Sequence, residues 1–211
     1  GHEFSGEIVA IGDDLEGKNF VLGDRVTSLP FIEDKTIGLG QITGAYSEYV
    51  KVGYDLVVKL PEEINDSDGA LVEPLAVGLH SVKQAGSVSG KDILVIGAGP
   101  IGLTCALWCK FFGARNVVLS EMSPTRLEMA RTLGFSQFTD PNADVGGQFI
   151  ELTGNAPDIQ FECVGATGLI QECIMRAPKG GLIMGIGVCD HPDTIVPLVA
   201  FSKELAIKWA V

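Results

Sequence analysis

The stretch Asp92–Leu103 reads DILVIGAGPIGL, and its three glycines decide the fold. An unbroken apolar run, Ile93–Ile96, leads into Gly97, Gly99 and Gly102, which stand in G-x-G-x-x-G spacing ahead of a helix-forming segment, PIGLTCALWCKFFG (100–113). An apolar run of that length reads as a strand buried on both faces. The spacing alone is weak in a chain with 27 glycines. Its place between a strand and a helix gives it meaning. Gly97 permits the tight turn, Gly99 leaves no side chain between backbone and a pyrophosphate, and Gly102 lets helix and strand approach. Phosphates would then lie at the helix N-terminus, against unpaired N–H groups and the positive end of the dipole, over Pro100 and Ile101.

Working outward, strands and helices alternate at the interval of βαβ units. NVVLSE (116–121) reads as the second strand and SPTRLEMARTLG (123–134) as the next helix, with serine and then proline at its first turn. Further strands are predicted at SQFTD, DIQFECVG, GGLIMGIG and ELAIKWAV. They make six strands in all, the complement of a doubly wound dinucleotide-binding domain with spatial order 3-2-1-4-5-6. Residues 91–211 are therefore expected to form a Rossmann domain of mainly parallel strands. An acid is expected at the end of its second strand, and Glu121 lies there, 19 positions beyond Gly102, near the usual spacing of roughly 20. A carboxylate in that place accepts hydrogen bonds from the adenosine ribose and repels a 2′-phosphate, which favours NAD over NADP. Arg126, five residues on, could instead pair with a phosphate. The glycine-bounded ends ECVG and MGIG put backbone groups around Val164 and Ile186 where a nicotinamide would lie, although plain turn glycines would look the same.

Upstream the pattern differs. Residues 1–60 hold short β runs, GEIVAIG, FVLGDRVTSL and AYSEYVKV, broken by turns. Residues 61–90 read as a helical junction, with Asp66 or Ser67 as N-cap and Gly86 as the stop. Pro74 is expected either to start a new helix or to kink this one at Glu73. His2, Glu3 and Glu73 carry metal-capable side chains, but spacing does not join residue 2 to residue 73.

The motif GHEFSGEIVAIGDDLEGKNFVLGDRV, followed in order by LVEPLAVGLH, GAGPIGL and FECVG, resembles the signature of the zinc-containing medium-chain dehydrogenases across essentially the whole chain. The resemblance implies that residues 1–60 are part of a β-rich GroES-like catalytic domain ahead of the NAD domain. It implies one catalytic zinc held by His2, Glu3 and Glu73, with Glu3 and Glu73 contributing to catalysis. The Glu-Pro form at position 73 is similar to the polyol and threonine dehydrogenase branch, and His80 is expected to be structural. In similar proteins a cysteine roughly 25 positions before His2 completes the zinc site. The interval TSLPFIEDKTIGLGQIT has no cysteine, so no structural zinc is expected. The implied reaction is hydride transfer between NAD and an alcohol or polyol, secondary alcohols favoured, by a homo-dimer or homo-tetramer. Two other readings stand beside it: a zinc-free, NADPH-using quinone reductase type, and a nucleotide-binding fragment without turnover.

Composition agrees with this class. A net charge of −12 disfavours nucleic acid and anionic membrane surfaces as partners. Apolar residues make up 46% of the chain, enough for a sizeable core, yet no run is long enough to span a bilayer. Five cysteines without C-x-x-C spacing read as reduced thiols of a cytoplasmic protein.

Overall fold

The computed structural model describes residues 1–13, 19–40 and 42–211; Asp14–Lys18, within the quoted signature, lie outside the described residues. The chain divides into two units, Gly1–Ala76 and Val77–Val211. The division falls inside the expected junction, within the helix Val72–Ala85.

In the first unit, β1 (Gly6–Glu7), β2 (Arg25–Ser28) and β5 (Val57–Lys59) form an antiparallel sheet in the order β1-β2-β5. Gly6 faces Val26, and Val26 faces Lys59. A small hairpin joins β3 (Phe31–Ile32) to β4 (Lys35–Thr36), with Glu33 in its turn at φ 54°. Phe4, Val26 and Ile37 are buried, and the Thr27 hydroxyl donates to the Phe4 carbonyl at 2.7 Å. The strand expected at AYSEYVKV does not form. Among the described residues its alternating pattern has no partner strand, and Tyr46 and Tyr49 are exposed. Helix α1 (Asp66–Gly69) is capped one residue earlier than expected, by Asn65, whose side chain accepts from the Asp68 N–H at 2.9 Å. Helix α2 (Val72–Ala85) starts afresh just before Pro74, which sits in a first turn where its missing N–H costs nothing. Gly86 ends the helix at φ 86°.

The second unit holds a six-stranded sheet, every pairing parallel. Its strands are β6 (Asp92–Ile96), β7 (Asn116–Ser120), β8 (Phe138–Thr139), β9 (Ile159–Glu162), β10 (Leu182–Gly185) and β11 (Ala206–Trp209). Their spatial order is β11-β10-β9-β6-β7-β8, the predicted doubly wound order. Helices α3 (Pro100–Phe111) and α4 (Pro124–Thr132) supply residues to one core, with Ile93 and Val95 of β6. Helices α5 (Val145–Thr153) and α6 (Leu169–Arg176) supply the other, with Leu94 and Ile96. Burial on both faces is why β6 reads as an unbroken apolar run. Cys105 and Cys109 are buried in the first core and all five thiols are free; burial pushes the Cys173 thiol up to about 12. At the amino ends of the strands the buried Asp92 carboxylate pairs with Arg115 and accepts from Asn116 at 2.8 Å and Asn155 at 3.1 Å. Among the described residues no helix is long and apolar enough to cross a membrane.

Candidate functional site

The carboxyl ends of the parallel strands carry the glycine turn. Gly97 adopts φ 91°, a conformation that favours glycine, and a Cβ there would lie 2.7 Å from Val164 Cγ2. A Cβ on Gly102 would run into the Gly97 carbonyl oxygen, so the pairing of these two glycines sets how closely α3 meets β6. Gly99 is the N-cap of α3 and Pro100 its first residue. A Cβ on Gly99 would meet nothing within 4 Å, so the space over the turn is open. The first-turn N–H groups of Ile101 and Gly102 have no intrahelical acceptors. An open concave backbone with free donors fits a pyrophosphate. Ile101 turns only its backbone toward this space, because its side chain packs against the first core.

Glu121 is only 6% exposed, and the turn itself occupies most of its carboxylate. Oε1 accepts from the N–H groups of Met122 at 2.9 Å and Ser123 at 2.8 Å, and Oε2 accepts from Ala98 at 2.9 Å. Burial pushes this carboxyl up, but the N–H groups of Ser123, Ala98 and Met122, with Arg126 nearby, outweigh it and hold the carboxyl below its ordinary value. A carboxylate offers about four acceptor positions. Three are filled, and the fourth lies on Oε2, which Arg126 Nη1 approaches to 3.7 Å. The Arg126 side chain is 59% exposed.

On the neighbouring strand ends, Val164 is half exposed while Ile186 packs against the first core. Between them lies a residue that sequence reasoning passed over. Glu162, at the end of β9, is 2% exposed, and its Oε1 accepts from Val164 N–H at 2.7 Å and Gly165 N–H at 2.9 Å. The signal was present in FECVG, where an acid ends an otherwise buried strand; a polar group so placed needs specific partners.

In the first unit, His2 Nε2 lies 3.8 Å from Glu73 Oε1, and His2 Nδ1 is buried without a hydrogen-bond partner. Burial raises the Glu73 carboxyl, with His2 opposing the shift and Glu3 adding to it. Imidazole and carboxylate suit zinc, and the pair offers His2 Nε2 next to the Glu73 carboxyl, while Nδ1, the other ring nitrogen, is buried without a partner. Glu3 does not complete the set. It is exposed while its neighbour His2 is half-buried. Among the described residues no three histidine, cysteine or acidic side chains are grouped to hold a metal ion. His80 is exposed on α2.

The chain is similar to known proteins. The family profile described as zinc-binding dehydrogenase matches residues 100–210, and that of the alcohol dehydrogenase GroES-like domain matches residues 1–62. The (R,R)-butanediol dehydrogenase of Bacillus subtilis (strain 168) is 34% identical over 226 residues, which cover 100% of this chain and 64% of the relative. The sorbitol dehydrogenase of Bos taurus is 33% identical over 230 residues, covering 99% and 64%. The crystal structure of 2R,3R-butanediol dehydrogenase from Bacillus subtilis superposes with a TM-score of 0.87 at 33% identity, over 100% of this chain and 64% of that one. A Sinorhizobium meliloti 1021 structure, described as a zinc-binding dehydrogenase bound to NADP, gives 0.90 at 26% identity, over 99% and 67%. The chain thus spans just under two thirds of the length of the curated relatives it matches.

Proposed function

This chain belongs to the zinc-binding dehydrogenase family, and from that premise we propose that it is the cofactor-binding part of an enzyme that moves a hydride between NAD and an alcohol or polyol. The observation that carries the reading is the turn Gly97–Gly102, open over Gly99 and closed against β6, with an anionic carboxylate at the end of β7. When bound, NAD takes the hydride from the substrate carbon. The α3 N-terminus holds its pyrophosphate, and the remaining acceptor on Glu121 Oε2 takes a ribose hydroxyl. The carboxylate that the backbone keeps ionised opposes a 2′-phosphate, which supports NAD over NADP; Arg126 works the other way.

Zinc, when bound, supplies a Lewis acid toward the substrate oxygen. His2 and Glu73 are proposed as two of its protein ligands, because they meet at 3.8 Å and one ring nitrogen is orphaned. A catalytic zinc takes three protein ligands, so the third is proposed to come from outside the described residues. Glu3 acts on the pair only through its charge. The butanediol and sorbitol dehydrogenases among the relatives support a secondary alcohol as substrate. Edge strand β11, with Trp209 68% exposed, supports assembly with a second copy. The free thiols support a cytoplasmic setting.

With only two metal donors grouped among the described residues, a nucleotide-binding chain without turnover is the second reading. One set of measurements separates the cases: zinc content, NADH and NADPH affinity from nicotinamide fluorescence, and NAD-linked oxidation of a vicinal diol. Zinc with NADH preference and turnover is the expected result. NADH binding without turnover selects the second reading, and NADPH preference without zinc overturns both.

A further inference from the structure

Resting on the proposed nicotinamide site, we infer that Glu162 is a positioning residue that holds both backbone segments of that site in a single arrangement. Its side chain fixes one segment through the N–H groups of Val164 and Gly165. Its main-chain carbonyl fixes the other, accepting from Ile186 N–H at 2.8 Å and Gly187 N–H at 2.9 Å. The two segments meet backbone to backbone. A Cβ on Gly187 would strike Gly165 and Val164, and a Cβ on Gly165, at φ 76°, would strike the backbone of Val188. No side chain cushions that approach, so the four hydrogen bonds to Glu162 set where the segments lie.

Val164 carries the arrangement further, because its Cγ2 packs against Gly97 of the phosphate turn. Glu162 thus stands where three loops converge. Its cost is a desolvated carboxylate, and its partners are backbone amides rather than a cation. Such a group is expensive as plain core and makes sense as a template for loop geometry. The arrangement also fixes polarity. The Val164 and Ile186 N–H groups are spent on Glu162, so these residues offer carbonyl oxygens to a ring, which suits the amide hydrogens of a carboxamide.

The test compares NADH with ADP-ribose, which has the same adenosine and pyrophosphate but no nicotinamide. In Glu162→Leu, which leaves two N–H groups unpaired, NADH should bind about tenfold more weakly with reduced fluorescence enhancement, and ADP-ribose should stay within about twofold of wild type. Glu162→Gln keeps an oxygen that can accept both N–H groups, so it should restore NADH affinity to within about threefold. Where the leucine variant does not fold, Glu162→Asp decides by the same NADH to ADP-ribose ratio. Parallel loss of both ligands, or unchanged NADH affinity, overturns the positioning role. Failure of the wild-type chain to bind either ligand overturns the cofactor reading, and this inference with it.

Discussion

Replacing Glu121 by glutamine separates what the carboxylate does for the fold from what it does for the cofactor. In the wild type, two oxygens serve three N–H groups at 2.8–2.9 Å. A glutamine has one oxygen, which best serves the Met122 and Ser123 pair. Its NH2 then faces the buried Ala98 N–H, which loses its acceptor. An unsatisfied buried donor costs about 1–3 kcal/mol. For a chain of this size about 2 kcal/mol lowers the melting temperature by about 4–8 °C. Circular dichroism on the two proteins at pH 7 measures this directly.

The pH dependence has a definite sign. The folded carboxyl lies below its ordinary value, so its stabilisation is complete above the unfolded value of about 4.3 and is lost as pH falls through the lowered folded value. The gap between wild type and Glu121→Gln should hold steady from about pH 8 to about pH 5 and shrink in more acid solution. Loss of the charge should also raise NADPH affinity relative to NADH by about tenfold. Equal melting temperatures at pH 7, or a gap that persists unchanged in acid, would refute the backbone-clamp account. An unchanged NADPH to NADH ratio would refute the phosphate-repulsion account alone.

Gly97→Ala should abolish NADH binding and destabilise the chain by about 1–3 kcal/mol, since it forces a side chain into φ 91° and against Val164; calorimetry and thermal melts check both effects. Asp92→Ala should cost about 2 kcal/mol, below the usual loss for a broken buried pair because Arg115 is 53% exposed and can return to water. The Arg115 guanidinium holds the Asp92 carboxyl below its ordinary value, so its contribution is present above about pH 4 and fades as pH falls through the folded value, which urea titrations at several pH values detect. Lys203→Met should cost about 1–2 kcal/mol by uncapping the carbonyls of Ile174, Met175 and Ala177 at the end of α6, with faster amide exchange in α6 as the marker.

How much of this was legible depended on how local each signal was. The parallel sheet was readable because β6 is apolar on both faces and glycine turns punctuate each unit. AYSEYVKV was misread because alternation measures compatibility with a strand, and pairing needs a neighbour that sequence does not name. Asn65, Asp66 and Ser67 are all capping residues in a row, so the side-chain bond to Asp68, set by the helix beyond, decides among them. Helix α5 was hidden by Gly146 and Gly147; it forms because Val145 and Phe149, four apart, are buried, Asp144 caps the start and Gly154 at φ 80° ends it. The meeting of His2 with Glu73 spans 71 positions. No periodicity encodes such a contact, and only the resemblance pointed to it.

The acids of the sheet show why the cofactor end could be located before its geometry was known. Asp92 at the amino ends and Glu121 and Glu162 at the carboxyl ends are all nearly inaccessible. Asp92 is answered by side chains, Arg115, Asn116 and Asn155, a closed network that leaves nothing for a ligand. Glu121 and Glu162 are answered by backbone N–H groups of the loops at that edge of the sheet, including the turn after β6 for Glu121. A carboxylate held by side chains anchors strands to one another, whereas one held by loop amides dictates the path of the loop. Acids of the second kind therefore cluster where loop shape matters, at the ends from which an open parallel sheet binds ligands. The same acid types at both edges carry different meanings, and partner identity, more than burial, distinguishes a structural carboxylate from one that shapes a site.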